Sequence, residues 1–304
     1  MSAPLPVAIP VIQADIFTDR PFAGNPAAAV LDADDLDETT MQRIAAGMRA
    51  PGTAFVSAPG RPDVDWRIRM FTPRREVGYS GHTALCGVHA LIEAGRLPGD
   101  QVRFDTPSGL LGVTITRGGA GTLMWLEPPL PACRPFAGDA VQILETLGLP
   151  RAGLAGWARP AVTPDEDLLL PVRDLATLRA LEPDMRRLGA LRSGQQARGV
   201  CVVSRETVDP GSGTHCRFFA PHYGLPEDIV TGSVHSALGV WLVEAGALAA
   251  TGGRARFTGE QGDGLGRPGR LEVELTVDGG RVSRVRVGGQ AVTTLSGSLR
   301  VAPR

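Results

Sequence analysis

Two stretches decide the fold: Arg69-Met-Phe-Thr-Pro73 and the segment Gly81-His-Thr-Ala-Leu-Cys-Gly-Val-His-Ala-Leu-Ile-Glu-Ala-Gly95 that follows it. The same pattern returns as Arg217-Phe-Phe-Ala-Pro221 and Gly232-Ser-Val-His-Ser-Ala-Leu-Gly-Val-Trp-Leu-Val-Glu-Ala-Gly246. In both copies an Arg-x-Phe-x-Pro strand end leads through an acidic loop to a glycine, and Glu-Ala-Gly closes the helix fourteen residues later. This internal repeat predicts two homologous halves, each with one apolar helix that a sheet could wrap.

The ends of the repeated helices predict where a ligand binds. Each helix ends at Gly95 or Gly246, the residue type typical of the C′ position, and begins at Gly81 or Gly232. If the helices meet across a pseudo-twofold axis, both N-termini face one cleft, where unpaired N–H groups and positive dipole ends favour a carboxylate. The repeat therefore predicts a small anionic substrate.

Hydrophobic periodicity predicts an α+β protein in which strands outnumber helices. Hairpins are expected at residues 116–122 and 277–281, where glycines separate alternating runs. The predicted strands are residues 11–17, 27–31, 53–57, 66–71, 110–116, 122–126, 167–172, 199–204, 215–219, 271–277, 281–287 and 298–301. The predicted helices are residues 38–48, 83–93, 139–147, 175–181 and 234–244.

Composition excludes several partner classes. The 304 residues have a formal net charge of -1, and all 31 basic residues are arginines scattered along the chain. This pattern argues against nucleic acid or an anionic membrane as a partner. We find no apolar run long enough for a membrane span and no signal-peptide pattern, so we expect a cytoplasmic protein. The four cysteines have no C-x-x-C spacing and are expected to be free thiols.

At these residues the sequence resembles the PhzF family of phenazine-biosynthesis-like isomerases, which have the diaminopimelate-epimerase fold. The resemblance spans residues 11–246, most of the chain. The matching segments are Asp15-Ile-Phe17, Phe22-Ala-Gly-Asn-Pro26, Thr53-Ala-Phe55-Val56, Phe71-Thr-Pro73, Glu76-Val77, Gly81-His82, Arg217-Phe-Phe-Ala-Pro221 and Glu227-Asp228-Ile-Val-Thr-Gly-Ser233.

The resemblance implies two halves, each with a mixed sheet curled around a central helix. Residues 1–130 plus 290–304 would form the N-terminal half, because the last strand returns to it, and residues 131–289 the C-terminal half. The active-site cleft would lie between them and bind an amino- or hydroxy-acid-like substrate. The resemblance also implies proton transfer without a cofactor or metal, and a homodimer.

Carried over residue by residue, the resemblance assigns the site. The family's catalytic positions fall on His82, Asp228 and Ser233. Backbone N–H donors would come from Gly81 and Gly232, and Asn25 falls in the substrate-contacting Gly-Asn-Pro loop. Ser233 and Thr231 could hydrogen-bond the substrate carboxylate, and Ser80 is a further substrate-binding candidate. The helix dipole is expected to keep the His82 imidazole neutral at pH 7.

One position departs from the family pattern. The family has a proton-shuttling glutamate immediately before the Thr-x-Phe-Val strand, and this chain has Gly52 there. Related racemases use two thiols, whereas Ser80 and Thr231 are alcohols, so two-cysteine racemisation is not expected. The side chains that could replace the glutamate are Glu76, Tyr79, His222 and Tyr223.

Three functions therefore remain open. The first is a cofactor-independent isomerase that moves a proton and a double bond in a small carboxylated substrate, in specialised-metabolite or antibiotic biosynthesis. The others are a small-acid-binding protein that has lost catalysis, and a dehydratase or hydrolase on the same fold. His82, Cys86 and His89 share a helical face with zinc-like spacing, but a buried helix favours core roles for Cys86 and His89 and no metal.

Overall fold

The computed structural model describes residues 7–97, 99–119, 121–190, 199–221 and 224–301, which form two units. One unit is Met1–Leu126 with Gly289–Arg304, here the first unit, and the other is Glu127–Gly288, the second unit. The first unit contains β1 (Val7–Ile16), β2 (Asn25–Val30), α1 (Glu38–Met48), β3 (Thr53–Ser57), β4 (Trp66–Phe71), β5 (Glu76–Val77), α2 (Gly81–Glu93), β6 (Gln101–Thr106), β7 (Gly109–Gly118) and β8 (Gly121–Leu126).

The second unit has a matching series of elements. It contains β9 (Arg134–Pro135), α3 (Ala140–Thr146), β10 (Ala161–Val162), β11 (Asp167–Pro171), α4 (Leu175–Arg179), α5 (Met185–Ala190), β12 (Gly199–Ser204), β13 (Thr214–Ala220), β14 (Leu225–Asp228), α6 (Gly232–Glu244), β15 (Arg254–Gln261), β16 (Gly269–Asp278) and β17 (Arg281–Gly289). The final strand, β18 (Ala291–Val301), returns to the first unit and pairs with β1.

The two units have the same order of strand pairings. In the first, β2 pairs antiparallel with β1 and parallel with β3, and β4 pairs antiparallel with β3 and β5 but parallel with β6. Antiparallel β6, β7 and β8 complete the sheet. Strands β10 to β17 repeat these directions one for one. The prediction of an α+β fold with two similar halves is confirmed.

One apolar helix in each unit lies at the centre of its sheet. Residues 83–91 of α2 and 234–242 of α6 are all buried, which leaves neither helix a solvent face in its middle turns. Helix α2 packs on β1 to β4, and α6 packs on β15 and β16. A helix that is apolar all round is stable only when it is enclosed in this way.

Both central helices end in the same hydrogen-bonded turn. Gly95 has φ +66° and donates its N–H to the carbonyl of Ile92 at 2.9 Å. Arg96 then donates to Leu91, also at 2.9 Å. The equivalent two bonds follow Gly246, where φ is +68°. This is the Schellman motif, and it requires a residue that tolerates positive φ at the predicted C′ glycines.

The repeated Arg-x-Phe-x-Pro motif builds the same ion pair twice. Arg69 donates two hydrogen bonds to Glu76, at 2.7 and 2.6 Å, and Arg217 donates two to Glu227, at 2.9 and 2.8 Å. Each guanidinium also lies over the phenylalanine ring two residues further on, at 5.3 and 5.0 Å from the ring centroid. The carboxylate of Glu76 is therefore used to join β4 to β5.

All predicted strands and helices are present, but some elements were not predicted. The hairpin at 277–281 closes through Gly279 and Gly280, with φ +57° and +81°, and the β7–β8 ladder ends at the pair Gly118 and Gly121. The sequence patterns did not predict β6, β15 and α5, nor the short strands β5, β9, β10 and β14. Each of β6 and β15 has only two buried hydrophobic residues, Val102 with Phe104 and Ala255 with Phe257, so the apolar signal is short.

The four cysteines lie in the described part of the chain as free thiols, with Cys133 half-buried and the other three buried. Among the described residues, no helix has both the length and the apolar character needed to cross a bilayer.

A buried hydrogen bond between His215 and Glu260 joins two neighbouring strands of the second unit. The parallel pairing of β13 with β15 places His215 next to Glu260, and their side chains meet at 2.7 Å. Both Glu260 oxygens also accept backbone N–H bonds, from Val208 and Asp209, at 2.8 Å. Burial alone would raise the pKa of this carboxyl, but these hydrogen bonds outweigh it and hold the pKa at about 2.

We expect Glu260→Gln to destabilise the protein at pH 7 by on the order of 3 kcal/mol, because the folded-state pKa lies below the ordinary value of 4.5. The contribution is present above about pH 4.5 and is lost as pH falls towards 2. Denaturant unfolding at pH 7 and pH 3 measures it, with the exposed Glu145→Gln as the control. Equal pH dependence in wild type and Glu260→Gln would contradict the assignment.

Candidate active site

The first set of candidate residues lies at the N-terminus of α2. The helix begins at Gly81, two residues before the predicted start, so His82 belongs to its first turn. Ser80 is the extended N-cap residue, and the first helical bond runs from the Ala84 N–H to the Ser80 carbonyl at 2.9 Å. Within the described residues the Ser80 side chain makes no capping bond, so the N–H groups of the first turn stay available to an anion.

His82 is half-buried, and each of its two ring nitrogens lies beside a hydroxyl group. Nδ1 is 3.5 Å from Ser80 Oγ, and Nε2 is 3.4 Å from Thr83 Oγ1. Burial lowers the pKa of His82 to about 4. The imidazole is therefore neutral at pH 7, as the sequence predicts, but the cause is burial and not the helix dipole. A neutral imidazole can accept a proton.

Thr83 is a central residue that sequence reasoning missed. It is fully buried, and its hydroxyl meets Ser80 Oγ at 2.8 Å. It also explains Gly52, because a Cβ atom at position 52 would lie 1.9 Å from Thr83 Oγ1. No side chain fits at position 52 while the Thr83 hydroxyl stays in place. The only sequence signal for Thr83 is its position three residues after Ser80.

The second set lies at the N-terminus of α6, at the end of β14. Asp228 is half-buried, and its Oδ1 accepts the Ile229 N–H at 2.9 Å while its Oδ2 accepts the Thr231 hydroxyl at 2.6 Å. Thr231 is the N-cap residue, but within the described part of the chain its side chain makes no capping bond. The first turn, with Gly232 and the exposed Ser233, thus keeps N–H donors beside a carboxylate.

The structure groups the predicted residues by unit. Ser80, Gly81 and His82 gather at the start of α2 in the first unit. Asp228, Thr231, Gly232 and Ser233 gather at the start of α6 in the second. Asn25 is the first residue of β2, opposite Ile16, and its side chain is fully buried.

The proposed replacements for the missing glutamate have different environments. Glu76 is bound to Arg69 in the strand-joining ion pair described above. Tyr79 is exposed, and its hydroxyl lies 3.4 Å from where a Cβ atom at Gly81 would be. His222 and Tyr223 lie outside the described residues.

The helical face considered for zinc is part of the core. Cys86 is fully buried and burial raises the pKa of its thiol, while His89 is buried and bonds through Nε2 to Thr293 Oγ1 at 2.9 Å. Among the described residues, no group of three or more His, Cys, Asp or Glu side chains has a metal-binding arrangement.

Comparison with known proteins supports the fold and the family. A family model described as phenazine biosynthesis-like protein (PhzC-PhzF) matches residues 14–297. The chain belongs to this family. An uncharacterized isomerase of Deinococcus radiodurans is 37% identical over 290 residues, covering 92% of this chain and 91% of that protein.

Solved structures of the family and of a related fold align over nearly the full length. The Bacillus anthracis phenazine biosynthesis protein of the PhzF family is 27% identical, with a TM-score of 0.87, and 97% of this chain and 100% of that chain are covered. A hydroxyproline epimerase from Agrobacterium vitis shares the fold at 14% identity, with a TM-score of 0.61 and coverage of 98% and 92%. This PhzC-PhzF chain therefore has the α+β fold that the resemblance implies.

We expect Gly52→Ala to destabilise the protein by about 1–3 kcal/mol, because its methyl group overlaps the Thr83 hydroxyl. Thr83→Ala removes the closest overlapping atom, so the double variant should recover part of the loss, a coupling of at least about 1 kcal/mol in a double-mutant cycle. Denaturant unfolding measures all four proteins. Gly47→Ala is the control, since a Cβ atom there meets nothing within 4 Å. An equal cost of Gly52→Ala in both backgrounds would refute the steric coupling.

Proposed function

We propose that this protein is an isomerase that moves a proton, and with it a double bond, within a small carboxylated amino- or hydroxy-acid. The observation that carries the proposal is the pair of helix starts whose N-cap side chains leave the N–H donors open. One has the neutral imidazole of His82 in its first turn, and the other follows the carboxylate of Asp228. The Deinococcus relative, named an isomerase, supports the reaction class.

The proposed chemistry needs only acid–base groups. One C–H bond of the substrate breaks and another forms while the double bond shifts, so no electrons are gained or lost and no cofactor is required. We assign His82 as the base that removes the proton, because its imidazole is neutral at pH 7. We assign Asp228 as the second proton carrier, since a positioned carboxylate can accept a proton and return it.

The remaining predicted residues would hold the substrate. The N–H groups that follow Ser80 and Thr231, with the exposed Ser233 hydroxyl, supply donors for a carboxylate. We assign no proton transfer to position 52, because Gly52 has no acidic group and Thr83 fills the space next to it. The place in specialised-metabolite biosynthesis and the homodimer stay part of this proposal on the resemblance alone.

A second function has one specific observation in its favour. The position that carries a glutamate in the family pattern is here closed by the Thr83 hydroxyl. If His82 and Asp228 do not transfer protons without that glutamate, the protein binds small acids and does not turn them over.

Deuterium incorporation separates these functions. We expect wild type in D₂O to label at least one member of a panel of cyclic and acyclic unsaturated amino and hydroxy acids, including 2,3-dihydro-3-hydroxyanthranilate. His82→Ala and Asp228→Asn should each lower the rate by about 100-fold or more, as expected for loss of a general acid or base. Mass spectrometry is the readout, and the exposed Asp35→Asn is the matched control.

Each outcome has a distinct meaning. If the protein binds panel members but incorporates deuterium into none of them, the isomerase proposal is wrong and the binding function is favoured. A product lighter by one water would favour a dehydratase on the same fold.

The pH dependence tests the role of His82. Because burial lowers the pKa of the imidazole to about 4, we expect the labelling rate to stay constant from pH 8 down to about 5. The rate should then fall as the ring is protonated near pH 4. An NMR titration of the His82 ring in ¹⁵N-histidine-labelled protein, assigned with His82→Gln, gives this pKa directly. A midpoint near the ordinary value of 6.5 would contradict the assignment.

A further inference from the structure

We propose that Gln261, with the buried Cys216 and His235 behind it, is a positioning residue that orients the Thr231 hydroxyl towards Asp228 and so holds that carboxylate for catalysis. The inference rests on the proposed function for its catalytic part. The three residues come from β15, β13 and α6, and nothing in the sequence pattern connects them.

Gln261 holds the Asp228–Thr231 turn through its side-chain amide. It is fully buried at the end of β15. Its Nε2 donates to the Asp228 carbonyl at 2.9 Å and to Thr231 Oγ1 at 3.2 Å, and its Oε1 accepts the Thr231 N–H at 3.0 Å. One side chain thus bonds to both ends of the turn that separates β14 from α6.

These bonds fix the direction in which the Thr231 hydroxyl hydrogen points. An amide nitrogen only donates, so Thr231 Oγ1 must act as the acceptor towards Gln261. The single hydroxyl hydrogen of Thr231 is then free to point at Asp228 Oδ2, 2.6 Å away. Gln261 therefore leaves the Thr231 hydroxyl hydrogen for Asp228 Oδ2, while the Ile229 N–H is directed at Oδ1.

Behind the Gln261 amide, the Cys216 thiol contacts the amide oxygen and the His235 ring contacts Cys216. The Cys216 thiol lies 3.7 Å from Gln261 Oε1 and 3.7 Å from His235 Nε2, and both residues are fully buried. His235 Nδ1 lies 3.0 Å from the Thr231 carbonyl, which can only accept, so this nitrogen carries a hydrogen. Gly259 leaves room for the ring, because a Cβ atom there would lie 2.2 Å from His235 Cδ2.

The fold alone brings this set together. The parallel pairing of β13 with β15 places Cys216 directly opposite Gln261. His235 stands one helical turn after Thr231, so the ring returns to the carbonyl of that residue. The turn is therefore supported by two strands and the helix it precedes.

Two pairs of variants test the proposal. Gln261→Glu keeps the shape and replaces the donating NH₂ with oxygen, and Gln42→Glu makes the same change at an amide that donates to the Thr72 carbonyl in the first unit. Thr231→Val removes the hydroxyl and Thr231→Ser retains it. If Gln261→Glu does not fold, Gln261→Met, which keeps the length of the side chain and removes its amide, replaces it in both readouts.

The first readout needs no substrate. We expect the ¹³C resonance of the Asp228 carboxyl carbon at pH 7 to shift in Gln261→Glu and in Thr231→Val, and to stay unchanged in Gln42→Glu and in Thr231→Ser. An unchanged Asp228 resonance in folded Gln261→Glu and Thr231→Val would overturn the positioning role. A shift in these two variants supports it even if wild type labels no panel acid, in which case only the proposed function fails.

The second readout is the labelling reaction. We expect Gln261→Glu to lower kcat at least tenfold and to change KM less than threefold, since the carboxylate that moves the proton is misplaced while the N–H donors remain. The double variant Gln261→Glu/Thr231→Val should lower kcat little more than either single variant, because both substitutions act on catalysis through the Thr231 hydroxyl. A kcat equal to wild type, or additive losses in the double variant, would overturn the catalytic part of the proposal.

Discussion

Both units depend on the complete burial of one apolar helix. The middle turns of α2 and α6 have no solvent face, so each helix is stable only when the strands of a mixed sheet surround it. The turns at Gly95 and Gly246 satisfy the last carbonyls of the helices. The opposite end cannot be closed in the same way, because its N–H groups need partners outside the helix. Polar side chains therefore gather at the N-terminus of the central helix in both units.

At both helix starts the N-cap hydroxyl bonds to another side chain, but the titratable group beside it differs. The hydroxyls of Ser80 and Thr231 both turn away from the N–H groups of the helix, one towards Thr83 and the other towards Asp228. The first start carries a half-buried, neutral imidazole, and the second follows a carboxylate that accepts two hydrogen bonds. In both units the N-cap side chain leaves the N–H groups of the first turn uncapped, but the titratable group beside them is an imidazole in one unit and a carboxylate in the other.

The contact between Gly52 and Thr83 lies at the position where the resemblance to the family implies a glutamate. A missing acid in a sequence could leave an empty space that another group enters, but here the Thr83 hydroxyl occupies it and bonds to Ser80. The two positions therefore constrain each other, and position 52 accepts a side chain only if Thr83 moves. With no acidic side chain at position 52, the proposed function rests on the titratable groups at the two helix starts, His82 and Asp228.

The sequence by itself determined the α+β class, the internal repeat and the extents of several strands and helices, and its resemblance to a family made His82 and Asp228 candidates. These follow from local periodicity, glycine at C′ positions and short motifs, all of which are written in neighbouring residues. Local patterns did not predict β6 and β15, each of which has only two buried hydrophobic residues. They also placed the start of both central helices two residues late, because the first turn of each helix is polar. Only the tertiary structure decided that Glu76 belongs to an ion pair, that Thr83 closes the space at Gly52, and that Gln261 bonds to the Asp228 turn. Such contacts join residues 7 to 33 positions apart, and strand pairing, which no local pattern encodes, sets the distances between them.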